Sequence, residues 1–166
     1  KHFAEFVKKS EIANGYESER LLEDLQKGIY FQSDILQGYG LGSSGALVAG
    51  FYARYAKQPI DRNGKEQFPS LRTALRVLES YFHGSSSGID PLVSYLGRPV
   101  VVHPDQRIET FQMEDPNALL RHFFLIDSKL PRETGPLVNW FLTSMESEDY
   151  QDSFDVGLKW ANKQAI

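Results

Sequence analysis

Two short stretches hold most of the residues able to do chemistry. The first is Leu36-Gln37-Gly38-Tyr39-Gly40-Leu41-Gly42-Ser43-Ser44-Gly45-Ala46, a glycine-rich loop with paired hydroxyls that runs into a helix-forming segment. Glycine lets the backbone turn tightly and approach a ligand without a Cβ in the way. A helix beginning inside such a loop presents unpaired N–H groups and the positive end of its dipole, which suits phosphate. The hydroxyls of Ser43 and Ser44 add groups that reach phosphate oxygens or a bound cation. The second stretch is Glu79-Ser80-Tyr81-Phe82-His83-Gly84-Ser85-Ser86-Ser87-Gly88-Ile89-Asp90-Pro91. It crowds two acids, a histidine and a serine–glycine turn together.

The elements that must position these residues follow from periodicity. Phe3, Phe6 and Val7 fall at helical spacing in residues 2–9, as do Leu21, Leu22 and Leu25 in residues 18–27, with Gly28 as a stop. Residues 28–35 are rich in Ile, Tyr and Phe and predict a strand. The glycine loop then opens a helix over about residues 43–56, with Leu47, Val48, Phe51 and Tyr55 as its apolar face. Residues 61–65 form a polar turn. Pro69 suits the first turn of a helix that runs to Phe82 or His83. On that helix Leu71, Leu75, Leu78 and Phe82 face the core, while Arg72, Arg76, Glu79 and His83 share another face. Glu79 and His83 are then neighbours one turn apart. Asp90 before Pro91 reads as an N-cap followed by proline at the first helical position, opening a short helix to about Leu96. Further on, strands are predicted over residues 99–103, 108–112 and 122–127, and helices over 135–145 and 150–163.

The motifs also have competing readings. Gly40-x-Gly42-x-x-Gly45 satisfies the dinucleotide fingerprint, with Asp61 at a tolerable distance for a ribose-binding acid. The strand before such a loop should be nearly all apolar, yet Gln32, Ser33 and Asp34 interrupt it. The loop has no Gly-Lys-Ser/Thr ending, so it is not a Walker A motif. Gly84-x-Ser86-x-Gly88 fits a nucleophile elbow, with His103 or His122 downstream, but an amphipathic helix stands where an elbow needs a strand. On spacing alone, Glu79 also reads as a solvated charge and Asp90 as a helix cap.

Bulk properties narrow the field. A chain of 166 residues allows one domain or pieces of two. A formal charge of −4 and the absence of a basic stripe argue against a nucleic-acid surface. The lack of cysteine excludes disulfides, thiolate metal sites and cysteine nucleophiles. No apolar run approaches the roughly 20 residues that span a bilayer, so no membrane partner is expected. Residues 1–10 are mixed polar and apolar rather than a signal peptide, so a cytoplasmic location is expected. The chain opens on lysine, which suggests a start that is not the natural one, with processing or disorder as the alternatives.

Together the two stretches resemble the GHMP small-molecule kinases, and among them the mevalonate kinases most closely. Gly40-Leu41-Gly42-Ser43-Ser44-Gly45 matches the G-L-G-S-S-[AG] phosphate loop of that family. Glu79, His83, Gly84, Ser87, Gly88, Ile89 and Asp90 match the pattern E-x3-H-G-x-x-S-G-[IV]-D. Pro131-Arg132-Glu133-Thr134 is similar to a P-R-x-T turn further along. Leu36 departs from the family, which often has proline before its loop.

The resemblance implies an α+β, two-domain GHMP kinase-like fold with mixed sheets and helices packed on one face. Residues 1–115 would belong to the N-terminal, ATP-binding domain and residues 116–166 to the start of the C-terminal domain. It implies ATP phosphates at Gly38, Gly40, Leu41, Gly42, Ser43, Ser44 and Gly45, and Mg²⁺ held by Ser44 and Glu79. Asp90 takes the catalytic role of polarising or deprotonating the attacking hydroxyl, and His83, Ser87, Arg132 and Thr134 line the substrate side. His83 is expected chiefly to fix the helix end and the serine turn. The reaction implied is ATP-dependent phosphorylation of a small metabolite, mevalonate first, as in isoprenoid precursor synthesis. Homoserine, galactose and phosphomevalonate kinases share the loop, and the His83-to-Asp90 run is what favours mevalonate. The alternative is a nucleotide-binding domain without turnover. A homodimer is admitted. The family's lysine motif would lie upstream of Lys1 and its third, glycine-rich motif downstream of Ile166, so the chain alone is expected to be inactive.

Overall fold

The computed structural model of the protein describes residues 2–112, 114–115, 117, 121, 124, 126–127, 129 and 134–165. They fall into two units, Lys1–Leu130 and Pro131–Ile166. The first unit holds helices α1 (His2–Lys9), α2 (Ser18–Gln26), α3 (Ser43–Tyr55), α4 (Phe68–His83) and α5 (Ile89–Leu96). Strands β1 (Val100–Val102) and β2 (Ile108–Thr110) follow. The second unit holds α6 (Thr134–Ser144) and α7 (Glu148–Ala165). The α+β class holds. The sheet, however, is one antiparallel pair among the described residues, with Val101 opposite Glu109, and not the larger mixed sheet expected.

The core gathers around α4. Its Leu71, Leu75 and Leu78 are fully buried, as their spacing predicts, together with Phe68, Val7, Val48 and Leu92. Each such side chain contributes about 1.5–3 kcal/mol on burial. Helix α3 packs against both α4 and α5, so it buries a wider face than an ordinary amphipathic helix. Val48, Phe51 and Tyr55 are inside as expected, and Ala49 and Tyr52 join them. Tyr52 meets Tyr95 edge-on at 5.0 Å between ring centroids. The two hydroxyls clasp Ile60: Tyr52 accepts its N–H at 3.1 Å, and Tyr95 donates to its carbonyl at 2.8 Å. The segment between α3 and α4 is pinned at that point.

Several expectations are corrected. Residues 28–35 form no strand; Ile29, Tyr30 and Phe31 are exposed, and the Ile35 N–H is taken by the Ser33 hydroxyl at 3.1 Å. A strand needs a partner for its backbone groups, and none pairs with it among the described residues. Phe82 was expected in the core but is 40% exposed, because α4 runs past the core and Phe82 stacks instead on Phe3 at 5.7 Å. Asp90 is not the N-cap of α5. Gly88 is, at φ 73°, and Asp90 is the second helical residue. Of the strand predicted at 122–127, residues 124, 126 and 127 lie in no strand and residues 122, 123 and 125 lie outside the described residues, as does residue 116 of the expected 115/116 division.

In the second unit, Phe141 packs on Tyr150 and Phe154, with centroids 6.5 and 5.3 Å away. Its two helices match the two predicted there. Among the described residues no helix is long and apolar enough to cross a membrane.

Candidate functional site

The glycine loop owes its shape to three left-handed residues, Gly38, Gly40 and Gly42, with φ of 78°, 70° and 75°. Side chains are strained in that region, so glycine is required there. Gly42 caps α3, and the first intrahelical bond runs from Ala46 N–H to the Gly42 carbonyl at 2.9 Å. The N–H groups of Ser43, Ser44 and Gly45 therefore have no partner within the helix. They form the free, dipole-positive end expected of a phosphate cradle. Leu41 is exposed at the loop's tip.

Glycine at position 45 serves a different purpose. A Cβ there would stand 2.9 Å from both the carbonyl carbon and the Cβ of Asp90. The first turns of α3 and α5 thus touch, and the loop arrives beside Asp90. Asp90 lies in the first turn of α5, where the helix dipole favours a negative charge. Its side chain is not needed as a cap, because the serines satisfy the turn: Ser86 Oγ accepts the Gly88 N–H at 2.9 Å, and Ser87 Oγ accepts the Ile89 N–H at 3.2 Å.

Glu79 is the most unusual residue of the site. It is 4% exposed, the one charged residue in the buried set among the described residues. The Ser86 hydroxyl donates to its Oε2. Burial pushes the carboxyl above the ordinary glutamate range. The Ser86 bond pulls it back, the charge of Asp90 pushes it up again, and His83 and Ser44 draw it down. His83, at the end of α4, is hydrogen-bonded through Nε2 to Ser44 Oγ at 3.0 Å. This ties the end of α4 to the start of α3. A cleft of about 790 Å³ opens beside this pair, lined by Ser33, Gln37, Ser43, Ser44, Phe82 and His83 among others.

Ser43, Ser44, Gly45, Glu79, His83 and Asp90 therefore converge from three helices. Ser87 is nearby, but its hydroxyl faces its own turn. Thr134 opens α6 in the second unit, and Arg132 lies outside the described residues. Ser86 was missed: nothing in a Ser85-Ser86-Ser87 run says which hydroxyl reaches back one helix to Glu79.

The donor set fits magnesium. A carboxylate and a hydroxyl are hard oxygen ligands, and magnesium characteristically takes one or two carboxylates plus phosphate oxygens and water. No cluster of three or more acids or histidines suited to hold a metal unaided occurs among the described residues. The buried Glu79, with Asp90 adding negative charge beside it, is the carboxylate a cation would neutralise.

A family model described as "GHMP kinases N terminal domain" matches residues 5–98, more than half of the chain. No curated protein and no solved structure matches it.

Proposed function

The chain belongs to the GHMP kinases, and from that premise we propose an ATP-dependent kinase acting on the hydroxyl of a small metabolite, mevalonate before the other acceptors of the family. The observation that carries this reading is the contact of Gly45 with Asp90. It sets a phosphate-type loop and a free carboxylate side by side, the two groups that phosphoryl transfer must bring together.

Phosphoryl transfer asks the protein mainly to position groups and stabilise charge. The N–H groups of Ser43 to Gly45 and the glycine turns before them hold the phosphates of ATP. Glu79 and Ser44 would hold magnesium, which would supply positive charge beside the phosphates. Ser86 and His83 keep these two ligands in place through their bonds to Glu79 and Ser44. Asp90 faces the acceptor and takes or polarises its hydroxyl proton. The acceptor preference rests on the sequence from His83 to Asp90.

A coupled ADP-release assay on the full-length protein with mevalonate, phosphomevalonate, homoserine and galactose tests this. Turnover greatest with mevalonate is expected. Preference for another acceptor overturns the substrate. No turnover with any of them, in a protein that still binds ATP, returns the reading to a non-catalytic nucleotide-binding domain.

A further inference from the structure

The turn that leads to Asp90 is held from outside the site. Arg72, on α4, donates from Nε to the Ser87 carbonyl at 2.8 Å and from Nη1 to the Gln106 side-chain carbonyl at 2.8 Å. Both acceptors are neutral oxygens, one of them backbone, so this is no ordinary surface ion pair. Gly88 lies flat on the same arginine: a Cβ there would stand 2.6 Å from the Arg72 carbonyl oxygen and 3.2 Å from Arg72 Cγ. Gln106 belongs to the tip of the β1–β2 hairpin. It adopts φ 67°, uncommon for a residue with a side chain, and its N–H is bound to the His103 carbonyl at 2.9 Å. A fixed hairpin tip, a planar guanidinium and a glycine turn thus form one connected strut, and Asp90 stands two residues beyond its end.

We propose that Arg72, backed by Gln106, is a positioning residue for phosphoryl transfer: it fixes the Ser87–Gly88 turn and so the direction in which α5 presents Asp90. The catalytic half of this inference rests on the kinase reading; the strut itself does not. Lysine cannot replace the arginine, because its single ammonium lacks the rigid fork that spans two acceptors. A small error at the acceptor hydroxyl matters, since misplacement by about 1 Å can cost on the order of 100-fold in rate.

The test uses the full-length protein with Arg72→Lys and Gln106→Ala, each alone and each combined with Asp90→Asn. Amide hydrogen exchange reads the strut directly: exchange at Gly88 and Ile89 accelerates in both variants, while Leu75 and Leu78 in the middle of α4 keep wild-type protection. Steady-state kinetics read its consequence: kcat falls about tenfold with the KM for ATP nearly unchanged, and the loss disappears in the Asp90→Asn background, as expected of groups acting as a unit. Unchanged exchange at the turn overturns the proposal. So does a loss spread over the whole of α4, or one that adds fully to that of Asp90→Asn, either of which makes Arg72 a general fold contact. If the wild-type protein turns over none of the four acceptors, the kinase reading falls instead, and the exchange data still decide whether Arg72 holds the turn.

Discussion

Gly45 and Asp90 meet where the first turns of α3 and α5 touch, so closely that a single added methyl group would lie 2.9 Å from two atoms of Asp90. The neighbours are backbone and Cβ atoms, which cannot rotate away. Gly45→Ala is therefore expected to push the two helices apart. Overpacking of this kind costs typically about 1–3 kcal/mol. A lower denaturation midpoint is the outcome to look for in urea titrations. Wild-type stability in this variant would mean that the helices do not approach as described.

The same contact shows what was legible in the sequence. The loop, the helix it opens and the leucine stripe of α4 are local patterns, and they fold as their spacing predicts. Glu79 is different. By period it belongs with Arg72, Arg76 and His83 on a polar face, yet it is buried, because the serine turn folds back over it and α3 and α5 close around it. That burial is a long-range event with no signature in a helical wheel. Asp90 before Pro91 looks like a cap, and loses that role because Gly88, seated on Arg72, starts the helix earlier. Residues 28–35 have strand composition but no partner strand among the described residues.

Burial of Glu79 has a measurable consequence for pH dependence. Its folded-state pKa is raised above the ordinary value of 4.5, by burial first and by Asp90 among the lesser causes. The protonated form is thus favoured by folding, so this contribution is fully present below the unfolded pKa and is lost as pH rises through the folded one. Glu79→Gln keeps an acceptor for Ser86 but cannot ionise. Without nucleotide or metal, its stability should match the wild type below pH 4.5 and exceed it once pH rises through the raised folded value. Thermal melts across that range check the sign, and a variant less stable than wild type at neutral pH would contradict it.

Ser86 joins two groups, donating to Glu79 and accepting from Gly88 N–H. Ser86→Ala leaves both without that partner, at a cost of about 1–3 kcal/mol for buried groups left unpaired. Ser85→Ala removes no bond of this kind and serves as the control. Comparing their denaturation midpoints should show a clear loss for Ser86→Ala alone; equal midpoints would remove Ser86 from the site.

The two acids should fail in different ways, because one is assigned to the cation and the other to the acceptor. Glu79 is buried beside Ser44 and His83, at the start of the phosphate loop's helix, whereas Asp90 is exposed at the start of α5. Glu79→Gln removes the charge proposed to hold magnesium and is expected to weaken magnesium-dependent ATP binding. Asp90→Asn keeps the shape of α5, leaves the loop's N–H groups untouched, and takes away the group proposed to accept or polarise the hydroxyl proton. It should bind MgATP like the wild type and lose turnover by roughly 100- to 10,000-fold, the range typical of general acid–base groups. Calorimetric titration with MgATP beside steady-state rates separates the two patterns. Near-normal turnover in a properly folded Asp90→Asn protein would remove Asp90 from the catalytic role and leave the acceptor hydroxyl to some other base.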